Sequence, residues 1–150
     1  MSAVEIGEHL YDVEVQITKV VEFGVSLADL LAGKVAPPPE GARLNVHFEG
    51  EWTGKVSGKV TGTDFITVRA DGTFQVHIHG ELTAPNGDTL AFFNDGIAIP
   101  DAGGIAHLRE HVVHHSSCPS LKWLNSLDSW AVGTANMGTG IITLKGYAVK

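Results

Sequence analysis

A chain of 150 residues is the size of one domain and too short for two independent cores. Hydrophobic residues at 43% and charged residues at 18% supply a sizeable core and exclude a disordered chain. With 10 Lys+Arg against 17 Asp+Glu the formal charge is −7, which argues against a nucleic-acid partner, because phosphate-binding surfaces need a clustered excess of cations.

The segment from Met1 to Asp12 is acidic and has no apolar run of the kind a signal peptide carries. The most apolar stretch, Val20 to Val35, is broken by Glu22, Asp29 and Lys34, so no membrane partner is expected. The expectation is a soluble, cytoplasmic protein. Tyr11, Val13, Val15 and Ile17 alternate with polar neighbours, the period of a half-buried strand. Ser26 to Gly33 reads as a short helix with Ser26 as N-cap and Gly33 as its stop. Pro37, Pro38 and Pro39 then stiffen an extended connector.

From Arg43 onward strands dominate. Leu44, Val46 and Phe48 alternate with polar residues, and Gly50, Gly54, Gly58 and Gly62 recur every four positions, a density that marks bulges or tight barrel corners. Phe65 to Arg69 ends at the turn Asp71-Gly72, and Phe74, Val76 and Ile78 open the next strand. Asn86-Gly87 turns the chain again into Thr89 to Asn94. Gly133 to Gly140 reads as a small-residue loop, and Ile141 to Val149 as a closing strand. Eight or nine short strands and one small helix give an all-β domain over residues 1–150: a single closed antiparallel β-barrel, which also hides its strand edges.

The candidate chemistry is rich in histidine. His77 and His79 share one strand face with Gln75 and Glu81, which is a solvent-facing polar face, an interior acid–base pair or a metal pair. Their spacing resembles the His-x-His of cupin metalloproteins, but Glu81 follows too closely. His107, His111, His114 and His115 fit a helical stripe with zinc-binding spacing. As a strand, the same segment puts Arg109, His111, Val113 and His115 on one face and Leu108, Glu110, Val112 and His114 on the other. Asp64, in Gly62-Thr63-Asp64-Phe65, is either a carboxylate bonding backbone amides or one held at a barrel mouth. The lone Cys118 forbids an intrachain disulfide and fits a reducing compartment; it has no recognisable nucleophile setting. Trp52, Trp123 and Trp130 read first as packing residues.

Taken in order, Gly41-Ala42-Arg43, Gly50 and Gly54, Gly58 and Gly62-Thr63-Asp64-Phe65, Asp71-Gly72, Asn86-Gly87, Asn94 and Gly96, and Trp123-Leu124-Asn125 resemble a bacterial and fungal family of uncharacterised proteins. That family is described as calycin-like barrels, related in fold to lipocalins and allene oxide cyclase. The resemblance implies that residues 107–115 form a strand. It places the family's aspartate on Asp64 and its strand arginine on His79, while its Phe-Arg and Phe-Glu pairs become Leu108-Arg109 and His114-His115.

These readings together lead to an expected catalytic set of Asp64, His79, Arg109 and His115, converging in one lumen. Arg43, His77, Asn94, His111, Trp123 and Asn125 are the expected substrate-binding residues. Neutral histidine would abstract a proton, a carboxylate would fix its tautomer, and Arg109 would stabilise a developing enolate or alkoxide. No metal and no cofactor is called for. The expected partner is a small, largely apolar oxygenated molecule, handled by lyase, isomerase or hydratase chemistry. A non-catalytic ligand-binding barrel and a metal-dependent cupin-like enzyme are the alternatives. Exposed edge and aromatic residues are compatible with a homodimer.

Overall fold

Strands that alternate apolar and polar residues must cover one face each. Rolling the sheet until the last strand meets the first does this and removes both edges. The computed structural model, which describes residues 5–149, takes that solution. The elements are β1 (Ile6–Glu22), α1 (Leu27–Leu31), β2 (Ala42–Gly54), β3 (Gly58–Val68), β4 (Phe74–Thr83), β5 (Thr89–Pro100), β6 (Ile105–His115), a 3-10 turn (Lys122–Ser126), β7 (Ser129–Asn136) and β8 (Ile141–Val149). Each strand pairs antiparallel with the next, and β8 closes on β1. The architecture is an all-β, closed eight-stranded barrel. The short helix stands where its capping signal put it, with Ser26 accepting from the Asp29 N–H.

One local expectation changes, and one open alternative is decided for the strand. Gly133 to Asn136 belong to β7, so the loop before β8 is confined to residues 137–140. Residues 105–115 form β6, so the histidine stripe lies on a strand and its helical spacing has no structural meaning.

Strand parity sets every side-chain direction. Even positions of β2 to β6 point inward, as the burial of Leu44, Val46, Ile66, Val76, Ile78, Phe92 and Leu108 shows. On β1 the inward set is Val13, Val15 and Ile17; the register against β2 slips between Ile17 and Lys19, after which Val20 packs on the core. One end of the barrel carries α1 and the turns at 69–73, 101–104 and 137–140. The other end is filled by Val56, Val60, Leu82, Leu90 and Leu124, all essentially without exposed surface.

Glycines make room for the aromatic floor. Gly80, opposite Gly62 on β3, is covered by the Phe92 ring, where an added Cβ would lie 2.2 Å from Cζ. Gly146 is covered by Tyr11 in the same way, at 2.3 Å from Cε2. A wall position without a side chain lets a ring lie flat across it, which is why these rings reach the barrel axis.

Candidate functional site

The inward residues of all eight strands enclose a cavity of about 80 Å³. That is several times the ~10–15 Å³ one water needs on the same measure. Its walls are aliphatic, and its rim at the α1 end includes Ile17, Leu27 and Met137. Its floor is aromatic. Tyr11 stacks on Trp52 with ring centroids 4.0 Å apart, and Phe92 tilts against Trp52 at 4.7 Å. Beneath them Tyr11 Oη hydrogen-bonds His114 Nε2 at 3.1 Å. Burial pushes the His114 imidazolium down to about 4, so the ring is neutral near pH 7, and burial with the nearby Glu110 charge pushes the Tyr11 phenol up.

Three polar side chains interrupt the apolar lining: Asp64 on β3, Asn94 on β5 and Glu110 on β6. Glu110 is 1% exposed and Asn94 6%. Asn94 Nδ2 donates to Glu110 Oε1 at 2.8 Å, while Asn94 Oδ1 has no partner. Asp64 sits between its cross-strand neighbours Val46 and Ile78. Its Oδ1 accepts the backbone N–H of His77 at 2.9 Å, where the β3–β4 ladder is interrupted between the pairs Asp64–Ile78 and Thr67–Gln75. The carboxyl group therefore replaces a missing strand-to-strand bond.

These acids are far from their ordinary state. Burial raises Glu110 to about 7 against the opposing effect of the Asn94 amide. Burial raises Asp64 to about 8, opposed by the His77 N–H and reinforced by the Glu110 charge. As a residue Asp64 keeps part of its surface, and the direction of its shift follows from the aliphatic residues on either side of it. Among the described residues no lysine, arginine or histidine lines the cavity to offset either charge. Near neutral pH the lumen thus holds one acid close to its midpoint and one largely protonated, the combination that transfers protons both ways.

The expected convergence of histidine and arginine in the lumen does not occur. Asp64 and Asn94 face it; the other eight expected residues do not. His79, Arg109 and His115 occupy odd positions of β4 and β6 and point to solvent, because strand parity sends them to the face opposite Ile78 and Glu110. His77 and His111 face outward for the same reason, each with a carboxylate: His77 Nδ1 meets Asp95 Oδ1 at 2.5 Å, and His111 Nε2 meets Asp128. His77 Nε2 and His79 Nε2 lie 2.9 Å apart on that outer surface, where His79 stands edge-on to Phe65 and Phe93. Arg43 is exposed on β2. Trp123 and Asn125 belong to the 3-10 turn at the filled end; Trp123 donates to Ser120 O, and Asn125 clamps both backbone groups of Ser116.

Glu110, Tyr11 and the Trp52 floor were not among the expected site residues. The signal for Glu110 was present in β6, where it shares the face of Leu108 and Val112: a carboxylate on an apolar strand face is the anomaly worth following. Among the described residues no group of three or more His, Cys, Asp or Glu is placed to hold a metal ion. None of the described helices is long and apolar enough to cross a membrane.

The family described as protein of unknown function (DUF3237) matches residues 8–149. Among solved structures, a protein of unknown function from Clostridium acetobutylicum is similar over 99% of this chain and 100% of its own, with a TM-score of 0.79 at 17% identity. A β-barrel like protein from Acinetobacter baumannii AYE matches over 100% of this chain and 98% of its own, with a TM-score of 0.78 at 16% identity. An enzyme from Penicillium herquei matches over 99% of this chain and 94% of its own, with a TM-score of 0.61 at 19% identity. At these identities the likeness is one of fold. No curated protein matches the chain.

Proposed function

The chain belongs to the DUF3237 family of proteins of unknown function, and we propose that its barrel takes up a small, largely apolar oxygenated metabolite and performs cofactor-independent acid–base chemistry on it, of lyase, isomerase or hydratase type. The observation that carries this reading is the placement of two carboxyl groups, Glu110 and Asp64, in a cavity otherwise lined by hydrocarbon and aromatic rings. An uncompensated buried acid costs several kcal/mol. Aliphatic residues at both positions would serve the fold better, so the acids stand there for chemistry.

In this reading Glu110 carboxylate removes a proton from a carbon next to a carbonyl, and the electron pair moves to the carbonyl oxygen. Protonated Asp64 donates to that oxygen as charge develops. Return of the proton to a different carbon gives isomerisation; loss of a neighbouring leaving group gives elimination. Asn94 positions Glu110 through the 2.8 Å bond. The Penicillium herquei enzyme supports the reading only to the extent that a barrel of similar fold houses an enzyme. A cytoplasmic setting and a homodimer belong to the same proposal. The dimer is favoured by exposed Phe93 and Val113, cross-strand partners on the outer wall of β5 and β6.

A non-catalytic binding barrel is the second reading, favoured by the almost wholly apolar lining. The test is deuterium incorporation from D2O into the α-positions of small aryl ketones, followed by NMR. Exchange that is lost in Glu110→Gln and kept in His79→Ala supports the acid–base reading. Saturable binding without exchange for any ketone selects the binding barrel, and exchange unaffected by Glu110→Gln overturns the assignment of the base.

A further inference from the structure

The polar groups of the lumen are neutral or negative, and none is a cation. Asn94 has spent an N–H on Glu110, and its Oδ1 is buried with no partner. Glu110, near its midpoint at neutral pH, accepts from a ligand when ionised, and the largely protonated Asp64 offers an O–H in the same lumen. The Tyr11 hydroxyl is engaged with His114 at the floor. Among the described residues no basic side chain lines the cavity, and the arginines and lysines with a contact lie on the outer surface.

From this we infer, resting on the lumen reading above, that the substrate class is an uncharged aromatic or conjugated alcohol, phenol or enol, and that carboxylates and phosphates are refused. The hydroxyl of such a molecule donates to the acceptors at mid-depth, where Asn94 Oδ1 is otherwise an unpaired buried oxygen. Its ring lies toward the Tyr11–Trp52 stack, whose faces are flat and apolar. An anion in the same place loses its water, finds no cation and meets two carboxyl groups. Fatty acids and other carboxylate ligands, which suit barrels with a basic residue inside, do not suit this one.

The experiment uses one ring with five substituents: toluene, phenol, anisole, benzoate and benzylammonium, titrated at pH 7 into the full chain with NMR shifts of lumen methyl groups as readout. Phenol is expected to bind at least about tenfold more tightly than anisole, which keeps the oxygen but lacks the donor. Benzoate is expected to give no saturable shift. Asn94→Leu, of similar size, is expected to narrow the phenol-to-anisole ratio while leaving toluene binding intact. Equal binding of phenol and anisole overturns the donor requirement, and binding of benzoate as tight as that of phenol overturns the refusal of anions. Tighter binding of benzylammonium than of phenol overturns the uncharged class in favour of an organic cation. Absence of lumen shifts with toluene as well overturns the lumen reading itself, a result distinct from the other three.

Discussion

Asn94 holds Glu110 through one amide N–H at 2.8 Å, and its remaining oxygen is buried without a partner. The amide stabilises the charged form of the acid and so opposes the rise that burial imposes on it. Asn94→Leu therefore moves the Glu110 midpoint above about 7. A 13C titration of the glutamate carboxyls checks this; an unmoved midpoint contradicts the positioning role.

Stability should fall as pH rises through the range of the two lumen acids. Both are raised in the folded chain, to about 7 for Glu110 and about 8 for Asp64, so the folded state binds more protons than the unfolded chain above their ordinary values. Their contribution is fully present below the unfolded pKa and is lost as pH climbs through 7 to 8. His114, lowered to about 4, acts in the other sense only below its ordinary value near 6.5. Urea melts at pH 6 and pH 8 should show the chain less stable at pH 8, on the order of 1 kcal/mol from Glu110 alone. Glu110→Gln should remove that share of the slope.

The outward residues separate from the site. His79→Ala, Arg109→Ala and His115→Ala change surface positions and should shift stability within about 0.5 kcal/mol, with toluene and phenol binding unaltered. His77→Ala loses an exposed ion pair with Asp95 and should cost at most about 1 kcal/mol. A tenfold loss of lumen binding in any of these four variants would contradict their placement outside.

Gly80 and Phe92 are coupled. An added methyl at Gly80 has no room under the ring, since Cβ would come within 2.2 Å of Cζ, and Gly80→Ala should cost about 1–3 kcal/mol. In a Phe92→Leu background the same change should cost less, giving an interaction energy of at least about 0.5 kcal/mol in a double-mutant cycle. Strict additivity would mean that the ring does not depend on the glycine.

Much of the barrel was legible because a period of two is a strong signal: Tyr11 to Ile17 and Leu44 to Phe48 announced their inner faces directly. The small residues of β7 were read as a loop because Gly133 carries no face, and only its neighbours Thr143 and Leu144 on β8 reveal why a strand there needs glycine. The site was harder. His77, His79, His111 and His115 drew notice by residue type, yet whether a strand face is inner or outer depends on the closed sheet as a whole, and their apolar neighbours Phe93, Ile97 and Val113 face outward too. Glu110 was the opposite case, one acid among aliphatic residues on the face that turned inward. Asp64 was visible as a carboxylate bonding a backbone amide; that the amide would come from the adjoining strand rather than from its own turn was not.

The bond from the His77 amide to Asp64 gives the barrel an instrument readable from outside. His77 carries its imidazole in solvent, but its amide proton ends on an acid of the lumen. Its NMR frequency and its exchange with solvent deuterium will follow the ionisation of Asp64 and any molecule that displaces or pairs with that carboxyl. A single backbone resonance can thus serve as a gauge of occupancy, with no label placed in the interior.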